Sequence, residues 1–258
     1  MPTITSFNIN GIRARLPRLL EYLEKEQPDI CCLQELKCAD DALPLKEFEG
    51  TGYQGVWHGQ KGFNGVAILA RGEAPKLRQM GLAGEEADEQ SRYIEAEAHG
   101  LIVASIYLPN GNPVGTEKFD YKLRWMKRLA ERAALLLAEE RPTVLSGDYN
   151  VIPEDRDTFS VKAMAGDALM QPESRAALRA IMAQGWTDAL RTAQPDEDKL
   201  FTFWDYQAGA WPRDAGFRID HHLLSPQAAD RLVGASVHKW ARGEDKASDH
   251  APVMVELS

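Results

Sequence analysis

The 258-residue chain carries 30 Lys+Arg against 39 Asp+Glu, a formal charge of −9, and 44% of its residues are apolar. That balance excludes a passive basic coat for nucleic acid, but suits an enzyme that gathers acids around a cation and keeps its bases on one face. The apolar share is enough for the core of one large sandwich.

Three cysteines, Cys31, Cys32 and Cys38, stand close together. Their odd number and clustering argue against a disulfide framework, and a zinc site lacks its second Cys/His pair. Cys31 and Cys32 lie in an apolar run and read as buried free thiols, in a reducing cytoplasmic setting. No basic stretch precedes an apolar core at the N-terminus, so no signal peptide is expected. No apolar run reaches membrane-spanning length.

In chain order, Thr3–Phe7 alternates as a half-buried strand and stops at Asn8-Ile9-Asn10-Gly11. Arg15–Lys25 places Leu16, Leu19, Leu20 and Leu23 on one helical face. Pro28-Asp29 turns the chain into the apolar strand Ile30–Leu33. Gly65–Ala70, Arg92–Ala98 and Leu101–Leu108 read as strands, the last two joined at His99-Gly100. Lys122–Glu140 is the clearest helix, with Leu123, Met126, Leu129, Ala130, Ala133 and Leu137 at three- and four-residue steps. A strand at Thr143–Ser146 follows, then a helix at Pro172–Gln184 ended by Gly185. Ile219–Leu224 and Pro252–Leu257 are the last full strands, and Val237 belongs to a short one. Gly81–Gln90, Asp155–Asp167 and Thr192–Lys199 are expected to be surface loops of a single domain spanning 1–258. Hairpins mixed with strand–helix–strand passages predict an α+β fold of two sheets packed face to face, with helices outside.

Polar residues recur where the strands stop. Asn8 and Asn10 follow the first strand and Gln34-Glu35 the second. Tyr107 and Asn110 end the hairpin strand, and Gly147-Asp148-Tyr149-Asn150 follows the long helix and its strand. Arg218-Ile219-Asp220 opens a late strand, and Ser248-Asp249-His250 precedes the last one. Each alone reads as a turn or a solvated edge. Gathered at one rim they supply four carboxylates, an imidazole, a phenol and several amides. That set suits phosphodiester hydrolysis: oxygen ligands for Mg²⁺, a proton acceptor for an attacking water and donors for the developing oxyanion.

The motifs SFNINGIRAR (6–15), LQELK (33–37), NGVAIL (64–69), SIYLPNG (105–111), LSGDYN (145–150), FTFWDY (201–206), GFRIDHHLLSP (216–226) and SDHAPV (248–253) are specific in combination. Through them the chain resembles the exonuclease III family of abasic-site endonucleases, within the endonuclease–exonuclease–phosphatase superfamily. The resemblance runs from Ser6 to the C-terminus.

It implies a four-layer αββα sandwich of two mixed sheets flanked by helices. It also implies an enzyme that needs Mg²⁺, with Mn²⁺ as a substitute, and hydrolyses the phosphodiester 5′ to abasic sites, with 3′→5′ exonuclease or 3′-end-cleaning activity. Its substrate would be double-stranded DNA carrying abasic sites or blocked 3′ ends, acted on by a monomer without membrane contact.

On that resemblance Glu35 is the principal metal carboxylate, with Asn8 and Asp249 nearby and Asp148 and Asn150 adjoining. Asp148 positions or deprotonates the nucleophile, or protonates the leaving group. Asn150 orients water and phosphate, Asp220 holds His250 in its tautomer, and His250 and Tyr107 meet the scissile phosphate. Asn110 binds the backbone near it. Phe203, Phe217 and Ile219 form the pocket for a base-free sugar, with Phe203 rather than Trp204 as its wall. Arg13 and Arg92 grip phosphates. Nothing is carried over at Asp167, where the family often has an amide.

Relatives that act on other phosphates typically carry a second catalytic histidine where this chain has Tyr107, which favours the repair branch. A catalytically weak nucleic-acid-binding regulator of the same fold is the alternative, although such relatives lose metal or nucleophile residues that are all present here.

Overall fold

The computed structural model describes residues 1–258. Its strands are β1 (Thr3–Asn8), β2 (Ile30–Gln34), β3 (Tyr53–His58), β4 (Val66–Arg71), β5 (Lys76–Met80), β6 (Tyr93–Ala98), β7 (Leu101–Tyr107), β8 (Thr143–Asp148), β9 (Thr187–Asp188), β10 (Asp220–Leu224), β11 (Leu232–Val237) and β12 (Val253–Leu257). The helices are α1 (Ile12–Glu26), α2 (Glu117–Ala138), α3 (Val161–Met164), α4 (Pro172–Met182), α5 (Ala189–Ala193), α6 (Pro226–Ala229) and α7 (Lys239–Gly243). The strands form two six-stranded sheets, ordered β11-β12-β1-β2-β4-β3 and β5-β6-β7-β8-β10-β9.

Each sheet contains one parallel pair, β1 with β2 and β7 with β8, and all other pairings are antiparallel. Parallel neighbours need a long crossover, which α1 provides in the first sheet and α2 in the second. The crossovers leave the carboxyl ends of β1, β2, β7 and β8 at one rim, where ligands of α/β sheets bind.

The layers follow from the burial pattern. All five residues of β2 are buried, as expected for a strand covered on both faces. Cys32 enters the core between the sheets with Ile4, Ile68, Val103, Val144 and Val255. Cys31 faces the other way, under Leu19 and Leu23 of α1. Trp125, Met126, Leu129 and Leu136 of α2, with Leu178 and Ile181 of α4, cover the second sheet through Tyr93, Ile106, Leu145 and Leu223. The result is helix, sheet, sheet, helix, and all three thiols are free and buried.

Five expectations change in detail. Helix α1 begins at Ile12 rather than Arg15, and α2 spans 117–138 rather than 122–140. The buried face of α2 includes Lys122, Trp125 and Leu136 as well as Met126, Leu129 and Ala133. The segment 155–167 is not a plain loop: it holds a 3₁₀ turn at Asp155–Asp157 and α3, and a capping box joins Glu154 and Asp157. Val237 ends a six-residue strand.

Beneath the rim, buried polar groups tie the sheets together. Gln34 Nε2 donates to Ser105 Oγ at 3.1 Å, and Ser105 Oγ donates to the Leu33 carbonyl at 2.9 Å.

Candidate active site

Strand register sets the site. Asn8 lies opposite Gln34 at the end of the first parallel pair, and Tyr107 opposite Asp148 at the end of the second. Asp220 opens β10 directly across from Asp148. Glu35 follows β2 with φ +54°, and Asn150 follows β8 with φ +47°. These left-handed residues turn the chain off the strand ends, and such sparsely populated conformations collect at functional sites.

A cavity of about 260 Å³ opens here, lined by Glu35, Tyr107, Asn110, Asp148, Asn150, Asp249 and His250 and walled by Phe203, Phe217 and Ile219. A roomier hollow of about 640 Å³ lies under β3, but Glu49 is the only charged residue around it.

Glu35, Asp148 and His250 each offer a ligand atom within 4.8 Å of the others. Asn8 Nδ2 donates to Glu35 Oε1 at 2.8 Å and to Asp148 Oδ2 at 3.0 Å, linking the acids of the two sheets. Its Oδ1 accepts from the Asn10 backbone N–H. Only the amide nitrogen can donate to two carboxylates, so Asn8 links Glu35 and Asp148 here through Nδ2 while its Oδ1 is turned to the Asn10 N–H.

Asp249 lines the cavity but stands outside the group of three, with Oδ1 accepting from Asn10 Nδ2 at 2.9 Å. Asn150 is largely committed within the protein. Its backbone N–H donates to Asp148 Oδ1, its Nδ2 to the Leu108 carbonyl, and its Oδ1 accepts from Asn110 Nδ2 at 3.1 Å. Its remaining capacity is one lone pair of Oδ1 and the second N–H of Nδ2.

His250 Nδ1 meets Asp220 Oδ2 at 2.9 Å, and Thr202 Oγ1 donates to the same oxygen at 2.6 Å. Burial pulls the imidazole pKa down, but the Asp220 charge and hydrogen bond, with Asp148 and Asp249, carry it up to about 10. Without a cation the ring therefore favours the imidazolium near neutrality, the form that donates a hydrogen bond from Nε2. Its Nε2 lies 3.8 Å from Asp148 Oδ2, beyond a hydrogen bond.

Asp148 is pushed up to about 7, first by burial, then by Asp220 and Glu35, against the lowering pull of His250 and the Asn150 N–H. Tyr107 is held as a phenol, by burial first and then by the charges of Glu35 and Asp148. The Arg92 guanidinium lies 4.8 Å from the Tyr107 ring centroid and donates to the Tyr107 carbonyl.

Arg13 is not brought to the cavity: its guanidinium donates to the Ala42 carbonyl. Phe203 and Phe217 stack at the wall with ring centroids 4.9 Å apart, whereas Trp204 is fully buried with Phe201 and Ala251.

Two lysines escaped the sequence reading. Lys37 Nζ lies 2.8 Å from Glu35 Oε2 and donates to Asn10 Oδ1. Lys122 Nζ, fully buried, donates to the carbonyls of Asn110 at 3.0 Å and Asn150 at 2.5 Å. Lys37 was inside a quoted motif. Lys122 gave no signal beyond a charge among apolar residues, since its acceptors are main-chain atoms. Asp167, set aside earlier, accepts from Asn112 Nδ2 and lines the cavity.

Carboxylates are a hard oxygen donor set, and their mutual repulsion at Asp148 fits a site made for a cation. A two-sheet sandwich that gathers acids, an acid-held imidazole and amides at one rim has the layout of a metal-dependent phosphoester hydrolase. The chain belongs to the Endonuclease/Exonuclease/phosphatase family, whose pattern matches residues 5–250. An exodeoxyribonuclease III from Haemophilus influenzae is 35% identical, with 98% of each chain covered. The solved structure of an AP endonuclease from Archaeoglobus fulgidus has a TM-score of 0.95 at 35% identity, covering 100% of both chains. That of the 3′ phosphatase NExo from Neisseria, bound to product DNA hairpin, has a TM-score of 0.96 at 33% identity, again covering 100% of both.

Proposed function

We propose that this protein is a Mg²⁺-dependent DNA repair nuclease that hydrolyses the phosphodiester 5′ to abasic sites and also processes blocked 3′ ends. The observation that carries the reading is the Glu35–Asp148–His250 group beside a cavity walled by Phe203, Phe217 and Ile219. Glu35 and Asp148 would hold the cation, with Asp249 and the free lone pair of Asn150 beside them. A cation held there, Mg²⁺ or Mn²⁺ in its place, would supply charge neutralisation at the phosphate and the leaving oxygen.

The protein's own groups do the rest. Asp148, poised near neutrality, takes the proton of the attacking water as its oxygen bonds to phosphorus and the bond to the leaving oxygen breaks. The His250 imidazolium, kept charged by Asp220, donates from Nε2 to a phosphate oxygen. Tyr107, kept a phenol, donates in the same region. Asn110 and Arg92 hold the backbone beside it, and the phenyl wall takes the base-free sugar. The relatives' names, an exodeoxyribonuclease III, an AP endonuclease and a 3′ phosphatase, support both internal and 3′-end substrates. The reading is of a single-domain monomer acting in the cytoplasm, and no helix is long and apolar enough to cross a membrane.

The test is a duplex with one abasic analogue, incubated with the protein in Mg²⁺ and in excess chelator. Cleavage 5′ to the analogue in Mg²⁺ alone is expected. Full cleavage in chelator would remove the metal from the reading. Equal cutting of undamaged duplex would leave a non-specific nuclease. Retained binding without cutting would leave a regulator.

A further inference from the structure

We propose that Phe159 is a stacking platform for an unpaired nucleobase beside the sugar held in the cavity, and so selects substrates in which that neighbouring base has left the helix. The inference deepens the nuclease reading and rests on it.

The first observation is a row of rings. Phe203 stands edge-on to the His250 imidazole with centroids 4.9 Å apart. Phe217 stacks on Phe203 at 4.9 Å and 24°, and Phe159 stacks on Phe217 at 6.2 Å and 28°. The row leads from the imidazole to solvent, where Phe159 is 44% exposed. Phe203 and Phe217 line the cavity; Phe159 lies beyond them, outside its lining.

The second observation is that the backbone carrying this exposed ring is pinned. Isolated bridges pair Phe203 with His250, Phe217 with Phe203, and Phe217 with Thr158, the residue before Phe159. The Phe159 N–H donates to the Gly216 carbonyl at 2.9 Å. Arg218, between two wall residues, holds Asp157 through Nε at 2.9 Å and Nη2 at 3.0 Å. A phenyl on a pinned backbone, with two side-chain torsions and one face against Phe217, has little left to order on binding.

What it fits follows from chemistry. A phenyl presents a π-face without donors or acceptors, so it reads no base edges but stacks on any base. A paired base inside a duplex keeps its faces against its neighbours. A base next to a missing one, or at a frayed end, has a face free.

The test is a binding cycle with the full chain in chelator, so that no strand is cut. Affinity is measured for a duplex with one abasic analogue, and for duplexes in which the flanking base on one side or the other is also removed. Phe159→Ala is expected to weaken binding about 5- to 150-fold, the range of one base–aromatic stack, when the flanking base is present. It should have little effect when that base is absent on the stacking side. Phe159→Trp should restore affinity and Phe159→Leu should not. The salt dependence, set by phosphate contacts, should be unchanged. An equal loss with and without either flanking base, or no loss at all, overturns the platform. That outcome is separable from failure of the nuclease reading, which wild-type cleavage in Mg²⁺ reports independently.

Discussion

Asp148 brings the site's charges into one measurable quantity. Its carboxyl is carried up to about 7 by burial, Asp220 and Glu35, and only the ionised form can accept a proton. Turnover should therefore fall with pH, with a midpoint below about 7 once a cation is bound. Positive charge beside a carboxylate lowers its pKa, so the midpoint should move down as Mg²⁺ rises; a pH–rate series at several Mg²⁺ concentrations checks this, and an immovable midpoint would count against the assignment. Asp148→Asn should cost about 10²- to 10⁴-fold in turnover while duplex binding survives. Lys122→Met removes the donor shared by the Asn110 and Asn150 carbonyls. Leaving buried acceptors unpaired costs about 1–3 kcal/mol each, so a lower denaturation midpoint and slower turnover are expected together. The cavity's acids, imidazole and amides were legible because strand ends punctuated by polar residues stand out against apolar runs. Lys37, Thr202 and Phe159 were not, because their importance lies in which atoms the fold sets beside them. The Ala42 carbonyl that Arg13 meets in this structure was likewise invisible, since a basic residue in a motif does not announce a main-chain acceptor.

Among the elements, the central strands could be read and the edges could not. Strands β3, β5 and β9 went unseen, and β11 was reduced to Val237. These four are the outer strands of the two sheets. An edge strand buries little and is often polar: β5 reads Lys-Leu-Arg-Gln-Met and is largely exposed, and β3 carries Gly55 at its middle. Centrally, one glycine is essential. A Cβ on Gly147 would stand 2.0 Å from the Ile106 carbonyl oxygen of β7, so Gly147→Ala must part the strands that present Tyr107 and Asp148. Soluble yield and turnover should both collapse, whereas Gly166→Ala, with nothing within 4 Å, should be neutral. His222 of β10 crosses between sheets, its Nε2 bonded to the Val253 carbonyl of β12 at 2.9 Å and its Nδ1 without a partner. Burial holds its pKa down at about 4, so as the pH falls from about 6.5 the unfolded chain takes up the proton first. That costs the fold up to about 3 kcal/mol by pH 4. Denaturation at pH 7 and 4.5 should show a smaller loss for His222→Gln than for the wild type.

At the scale of the whole molecule, Glu35 follows a strand of one sheet and Asp148 ends a strand of the other. A cation between them would tie the layers together. Saturating Mg²⁺ should raise the melting temperature by about 5–10 °C at a hundredfold excess over its dissociation constant. Calorimetry with and without chelator should show that rise in the wild type and not in Glu35→Gln. The layered architecture itself was legible, because helical and strand periodicities alternate and two long crossovers imply parallel pairs. The nesting of the sheets was not: the second sheet is one continuous stretch, 76–224, set between the two halves of the first. That nesting orders the arrival of the parts during synthesis. Glu35 emerges early and Asp148 midway, but the imidazole comes just before β12, the strand that pairs with β1. A chain still being synthesised carries Glu35 and Asp148 before His250, so on the proposed roles cleavage is expected only once β12 docks beside β1.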